Sequence, residues 1–251
     1  MSRVLNVILS HQPREELEQV LSWWSRYTSL DDLLLTYGGP REEFDKLPDV
    51  SRVFVSDPRL RANKTRQKQN YDGVFRAATQ WLLEKPDRSF SHVYFAEFDH
   101  LPLISNLAEK LLQRLEEEDA DVLGHGVSRV DNTSNVLYLY HLADARFEDF
   151  WRRISVRQDH TVVLRMLVTG SFWTRRAFTD VGRQKPAVPI YLELYLPTVA
   201  HYLGYRVREL RDQSKCVSPA PKPRFSIQTA RQMGCWTVHP VKTIPRNGQS
   251  D

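Results

Sequence analysis

Cysteine and glycine are scarce: two cysteines, Cys216 and Cys235, and ten glycines in 251 residues. Two cysteines cannot build a disulfide framework, so an apolar core must hold the fold, and a reducing, cytoplasmic setting is expected. The few glycines leave neither a Gly-x-x-x-x-Gly-Lys-Ser/Thr phosphate loop nor a Gly-x-Gly-x-x-Gly dinucleotide fingerprint. Gly-x-Ser-x-Gly is missing too, which argues against a serine hydrolase. Long apolar runs are also lacking. A membrane span needs about 18 consecutive apolar residues, and the best stretch, Val162 to Trp173, is broken by Arg165. The opening MSRVLNVILSHQ has neither the apolar run nor the cleavage site of a secretory leader. These absences predict a protein with no transmembrane segment, touching a membrane at most at its surface.

Neither sign of charge dominates. The formal net charge is +4 with a pI near 9.1, weaker than a dedicated nucleic-acid binder shows, so no nucleic-acid partner is expected. Hydrophobic residues are 41% and charged residues 26%, ordinary for a globular chain, which excludes disorder and fibrous repeats. The charge is clustered. Arg59, Arg61, Lys64, Arg66 and Lys68 follow one another with no acid between them, a second basic stretch runs from Arg206 to Arg224, and Leu115 to Asp121 reads LEEEDAD. A solvated surface is the plain expectation for the second basic stretch and the acidic one.

What is present is an alternation of short apolar runs and helical periods. Val4 to Leu9 (VLNVIL) is an apolar, β-rich run broken only by Asn6, expected as a buried strand; Pro13 then opens a helix with Leu17, Val20, Leu21 and Trp24 at i, i+3, i+4, i+7. On this reading Trp23 and Trp24 belong to core and flank. Asp32 to Tyr37, Arg52 to Val55, His92 to Ala96 and Ala120 to Leu123 are further strands, with helices over about Gln67 to Leu83 and Leu103 to Glu118. Later segments predict a strand at Val136 to Tyr140, a helix at Ala143 to Ile154, an apolar stretch at Val162 to Val168 and a helix at Ile190 to Leu203. Ser214 to Phe225, with three prolines, reads as an extended loop, and residues after Ile244 as a tail. The pattern predicts an α/β fold: a mostly parallel central sheet flanked by helices, in one domain with a smaller second region. Its halves are expected at 1–124 and 125–244, with a flexible tail at 245–251.

Ligands of an open parallel sheet bind beyond the carboxyl ends of the strands. The polar residues there are Ser10 and His11, Ser56 and Asp57, and Glu97-Phe98-Asp99. Side chains alternate along a strand, so Glu97 and Asp99 share one side. Two carboxylates so placed repel unless a cation lies between them, and Mn²⁺ or Mg²⁺ bridging to a diphosphate suits that position. The plainer alternative has one carboxylate capping the helix near Leu101 and the other pairing with an arginine. Lys64 and Arg66, near the start of the helix after the third strand, are the expected diphosphate contacts. His11 and His100 flank this pocket.

This strand and helix order, leading to an acid-x-acid triplet, resembles the metal-dependent, nucleotide-sugar glycosyltransferases of the GT-A fold. Gly170-Ser171-Phe172-Trp173-Thr174-Arg175-Arg176, running on to Gly182, is similar to a segment of their acceptor half. Tyr191-Leu192-Glu193-Leu194-Tyr195-Leu196-Pro197 with Leu203-Gly204-Tyr205-Arg206-Val207 resembles a segment of the inverting family 2 enzymes that carries the general base, at the position of Glu193. Trp236 to Lys242 resembles a late segment in which a histidine, here His239, completes the metal shell and a lysine, here Lys242, meets the diphosphate. The resemblance covers about residues 4 to 210 in order and spacing.

It implies transfer of a sugar from a UDP- or GDP-type donor to a hydroxyl acceptor. Glu97, Asp99 and His239 would ligate the metal, and Glu193 would act as base. Ser10, His11, Asp57, Lys64, Arg66, Glu97 and Lys242 would face the donor, and Gly170, Ser171 and Trp173 the acceptor. A loop around Lys215 to Arg224 would close over the site. Three positions depart from the family pattern: Glu97 where aspartate is usual, Tyr37-Gly38-Gly39 where an aspartate grips the base, and Leu194 where a second acid stands. A non-catalytic nucleotide-binding module of this fold is one alternative. A sugar-phosphate nucleotidyltransferase is another, against which stands the absence of glycine in Ser10-His11-Gln12-Pro13.

Overall fold

The computed structural model describes residues 3–56, 72–85, 89–132, 134–135, 142, 144–185, 190–219 and 223–244. Nine strands are described: β1 Arg3–Ser10, β2 Leu33–Tyr37, β3 Ser51–Phe54, β4 Phe90–Glu97, β5 Leu101–Pro102, β6 Val122–Arg129, β7 Leu164–Thr174, β8 Val207–Glu209 and β9 Thr237–Val238. The helices are α1 Arg14–Trp24, α2 Arg41–Phe44, α3 Asp72–Glu84, α4 Leu107–Glu117, α5 Ala145–Ile154, α6 Arg175–Gly182, α7 Leu192–Tyr202 and α8 Ile227–Gln232.

Seven strands form one sheet in the order β3-β2-β1-β4-β7-β6-β8. All neighbours run parallel except β7, which is antiparallel to both β4 and β6. The expected mixed α/β architecture with a mostly parallel sheet is therefore what the chain adopts. Both faces of the sheet are covered, and the two-residue period sorts side chains between them. On β4, Val93 and Phe95 join the core under α3, α5, α6 and α7, whereas Tyr94 and Ala96 join the core under α1 and α4. Trp23 and Trp24 are both buried.

The structure revises several boundaries. The apolar stretch at Val162 and the Gly170 segment are one strand, β7, running into α6. β6 continues from Val122 to Arg129, beyond the short strand expected. The helix expected from Leu103 starts at Leu107, because Leu101 and Pro102 pair antiparallel with Val238 and Thr237 in a second sheet. A third apolar cluster, including Trp23, Leu101, Cys216, Ile227, Cys235 and Val238, holds that small sheet in place. The expected strand at Val136 to Tyr140 and the tail after Ile244 lie outside the described residues.

The acidic run and the second basic stretch lie largely at the surface, as expected, and they meet there. Arg206 pairs with Asp121 at 3.2 Å and also with Asp119, and Arg211 reaches Glu118 at 3.2 Å. Opposite charges brought together by β6 and β8 satisfy each other.

Candidate functional site

Glu97 is the last residue of β4, and the chain turns immediately after it. The amide of Phe98 donates to Leu9 O (2.9 Å), and that of His100 to Glu97 O (3.0 Å). The turn carries Asp99 across to the small sheet, where its carbonyl accepts the Val241 amide at 2.9 Å. Asp99 is thus tied to the segment that supplies His239 and Lys242.

His239 follows β9 directly. Its amide donates to Cys216 O (3.0 Å) and its carbonyl accepts from Ser218 N (3.1 Å), which fixes the backbone. Its Nδ1 lies 2.9 Å from Ser218 O. A carbonyl only accepts, so Nδ1 carries the proton in that bond, and Nε2 is turned toward the acids. Nε2 stands 3.4 Å from Glu97 Oε2 and 3.3 Å from Asp99 Oδ1. Lys242 Nζ sits 2.6 Å from Asp99 Oδ2.

These contacts set the ionisation of the site. Burial pulls the His239 imidazole down, but hydrogen bonds and charge from Asp99 and Glu97 outweigh it and hold the group at about 9. Burial likewise pushes Asp99 up, and His239 with Lys242 reverses this, leaving its carboxyl below the ordinary range. Glu97 remains accessible, with 47% of its side chain exposed against 6% for Asp99, so it forms the open rim of the cluster.

One ligand atom from each of Glu97, Asp99 and His239 lies within 4.8 Å of the others. Two carboxylate oxygens and an imidazole nitrogen suit Mn²⁺ or Mg²⁺. A histidine ligand whose other nitrogen is bonded to a carbonyl is the usual outer support of such a site. The donor set therefore fits a divalent cation, whose binding would displace the Nε2 proton of His239.

Glu193 lies in the first turn of α7 and is half-buried. Burial, then the charge of Glu97, push its carboxyl up to about 7, with the Arg165 guanidinium partly opposing them. That electrostatic coupling links Glu193 to the acids at the end of β4. α7 is held on β7 by Thr198, whose hydroxyl accepts from Leu164 N (3.0 Å) and donates to Leu164 O (3.1 Å).

The other expected residues divide. Ser10 is fully buried, and its Oγ accepts the Gln12 amide at 3.0 Å, so it shapes the loop after β1 rather than presenting its hydroxyl. His11 is exposed and stands edge-on to Phe98, with ring centroids 5.7 Å apart. Ser171 and Trp173 are fully buried. Ser171 Oγ donates to Val168 O (2.6 Å) and accepts from Trp173 Nε1 (2.8 Å), so both side chains serve the core, not an accessible acceptor surface. Gly170 has φ +76°, and a Cβ there would fall 2.2 Å from His100 Cε1. Asp57, Lys64 and Arg66 lie outside the described residues. The segment expected to close from Lys215 is, in part, fixed framework. Arg211–Cys216 is a 3₁₀ helix, Cys216 to Ser218 are buried, and Val217 bridges to His239.

Sequence reasoning missed His100 as a member of the site's interior, and with it Tyr94, Thr169 and His125. His100 is fully buried, stacked on His239 at 5.5 Å between centroids. Burial, then the charges of His239 and His125, hold it well below the ordinary imidazole range. Burial followed by the charge of His239 lowers His125 to about 3. Adjacency of His100 to Asp99 was the one signal available.

No family model matches the chain, and a search of curated proteins finds no relative. Among solved structures, the chain is similar to the bifunctional IspDF from Campylobacter jejuni, at 9% identity and a TM-score of 0.47, over 83% of this chain and 49% of that one. It is also similar to the mannosyltransferase PcManGT from Pyrobaculum calidifontis, solved in complex with GDP-Man and Mn²⁺. There the identity is 11% and the TM-score 0.43, over 82% of this chain and 54% of that one. The chain thus spans about half the length of either structure. Among the described residues, no helix is long and apolar enough to cross a membrane.

Proposed function

We propose that this chain is a metal-dependent glycosyltransferase, moving a sugar from a nucleoside-diphosphate donor of UDP or GDP type to a hydroxyl acceptor. The observation that carries the reading is the meeting of Glu97, Asp99 and His239, beside Lys242, at the carboxyl end of a parallel strand. Glu97, Asp99 and His239 would hold Mn²⁺ or Mg²⁺. When bound, such a cation supplies positive charge beside the diphosphate as it leaves.

The chain's own residues do the rest. Lys242 adds a second positive charge on the same side, neutralised by Asp99 until a diphosphate arrives. His11 borders the donor, and Lys64 and Arg66, which follow β3 in sequence, are the cationic residues proposed to meet its diphosphate. Glu193 takes the proton of the acceptor hydroxyl as its oxygen bonds to the anomeric carbon and the bond from that carbon to the diphosphate breaks. A carboxyl raised to about 7 is well matched to that task near neutral pH.

Thermal unfolding with UDP, GDP, ADP and CMP, each with and without Mn²⁺, tests the donor site. A ligand at about 100 times its dissociation constant adds about 2.7 kcal/mol, a rise of roughly 5–10 °C for a chain of this length. A Mn²⁺-dependent rise with one nucleoside diphosphate is expected. No rise with any of them removes the reading. Pyrophosphate release from a nucleoside triphosphate and a sugar phosphate would move it to a nucleotidyltransferase.

A further inference from the structure

We infer that His100 is a positioning residue: bonded to Thr169 and Tyr94 of the large sheet and followed directly by β5 of the small one, it pins the two sheets together so that Glu97, Asp99 and His239 meet. The inference rests on the reading of those three residues as a metal site.

The three candidate ligands do not share an element. Glu97 ends β4 of the large sheet, Asp99 lies in the turn beyond it, and His239 follows β9 of the small sheet. Two-residue strands such as β5 and β9 form too few ladder bonds to set a position within a few tenths of an ångström. His100 adds a side-chain constraint from the large sheet to those of the apolar cluster and the Asp99–Val241 bond. Its Nδ1 is 3.1 Å from Thr169 Oγ1 on β7, and its Nε2 is 3.0 Å from the Tyr94 hydroxyl on β4. His100 also leads directly into β5, which pairs with β9. The His100 ring then lies nearly parallel to that of His239, 22° between planes.

Thr169 extends the pin to Glu97. The β4–β7 ladder closes at the pair Phe95 and Ser171. Beyond it, at the left-handed Gly170, Thr169 Oγ1 accepts the Glu97 amide at 2.9 Å. A hydroxyl has one proton and two lone pairs, so it can serve Glu97 and His100 together. Gly170 completes the device, since any side chain there would occupy the place of the His100 ring. Outer partners of this kind orient metal ligands, and their removal commonly weakens metal binding by about 10–100-fold.

The test compares Thr169→Val, which keeps the shape and removes the hydroxyl, with Thr169→Ser, which keeps the hydroxyl. Mn²⁺ affinity is read from the electron paramagnetic resonance of free Mn²⁺, alongside the metal-free unfolding midpoint. Thr169→Val and His100→Phe are expected to weaken Mn²⁺ binding by about 10–100-fold. Thr169→Ser should stay within about threefold of the parent, because it retains the bonding group. If either weakened variant fails to fold, Tyr94→Phe, which removes only the hydroxyl facing His100 Nε2, reads the same pin and should weaken Mn²⁺ by a similar factor. Equal affinity in parent and folded Thr169→Val overturns the positioning role and leaves the metal site standing, as does equal loss in the Ser and Val variants. A parent that binds no Mn²⁺ removes the metal site itself, and the positioning role with it.

Discussion

Glu193 and Asp99 are both acids, and their surroundings push them in opposite directions. Asp99 is buried against His239 and Lys242 and stays ionised; Glu193 is half-buried, faces the field of Glu97, and has a carboxyl at about 7. The difference suits them to the separate roles proposed above, one holding cations and the other exchanging a proton near neutrality. Glu193→Gln is expected to keep the Mn²⁺- and nucleotide-dependent rise in unfolding midpoint while losing roughly 10²–10⁴ in transfer rate. Asp99→Asn should lose both, since it removes a ligand and frees Lys242 from its partner. A fully active Glu193→Gln would sink the base assignment. The pH profile follows from the same shift. A base must be unprotonated, so kcat/KM of the parent should climb as pH rises through about 7, and that limb should vanish in the residual activity of Glu193→Gln.

Among the elements, α7 decides where Glu193 lies, and Thr198 decides where α7 lies. Its hydroxyl serves both the N–H and the C=O of Leu164, and Tyr202, one turn further on, donates to Val162 O at 2.8 Å. Thr198→Val keeps the shape and leaves both Leu164 groups without that partner. Each such group costs about 1–3 kcal/mol, so the unfolding midpoint should fall by several degrees in a thermal scan. An unchanged midpoint would show that β7 holds its end without the helix.

The same elements show how far sequence reading reached. The apolar run at Val4 to Leu9 and the Leu17, Val20, Leu21, Trp24 stripe announced a two-faced sheet, because period and burial are local properties. Strand alternation was the wrong reason for expecting Glu97 and Asp99 together: β4 ends at Glu97, and it is the turn after it that brings Asp99 to the cluster. β5 and β9 were invisible, since two residues carry no period and Leu101 and Pro102 read equally well as a helix start. Trp173 and Ser171 were assigned to the acceptor side only by resemblance; on β7 both are buried in the core. The pin through His100, Tyr94 and Thr169 joins residues far apart in the chain, and no single-sequence pattern reports such a contact.

At the scale of the whole molecule, Glu193 is a charge whose cost pH can expose. Its carboxyl moves from an ordinary 4.5 to about 7 in the folded chain. A raised acid favours the folded state while both forms are protonated, below about 4.5, and that advantage drains away as pH climbs to 7. Above 7 the folded molecule carries a half-buried charge that the unfolded one would hold in water. At 1.36 kcal/mol per unit the deficit reaches at most about 3 kcal/mol. Glu193→Gln has no charge to bury. The metal-free variant should therefore unfold at the parent's temperature near pH 4 and some 5–10 °C above it at pH 8. A variant equal to or below the parent at pH 8 would mean that the Glu193 carboxyl is solvated in the folded chain, and its fitness as a base near neutrality would fall with that result. A gain at pH 8 bought by the loss of transfer would show stability and proton transfer competing for one side chain, as expected where a catalytic group is held in an unfavourable setting.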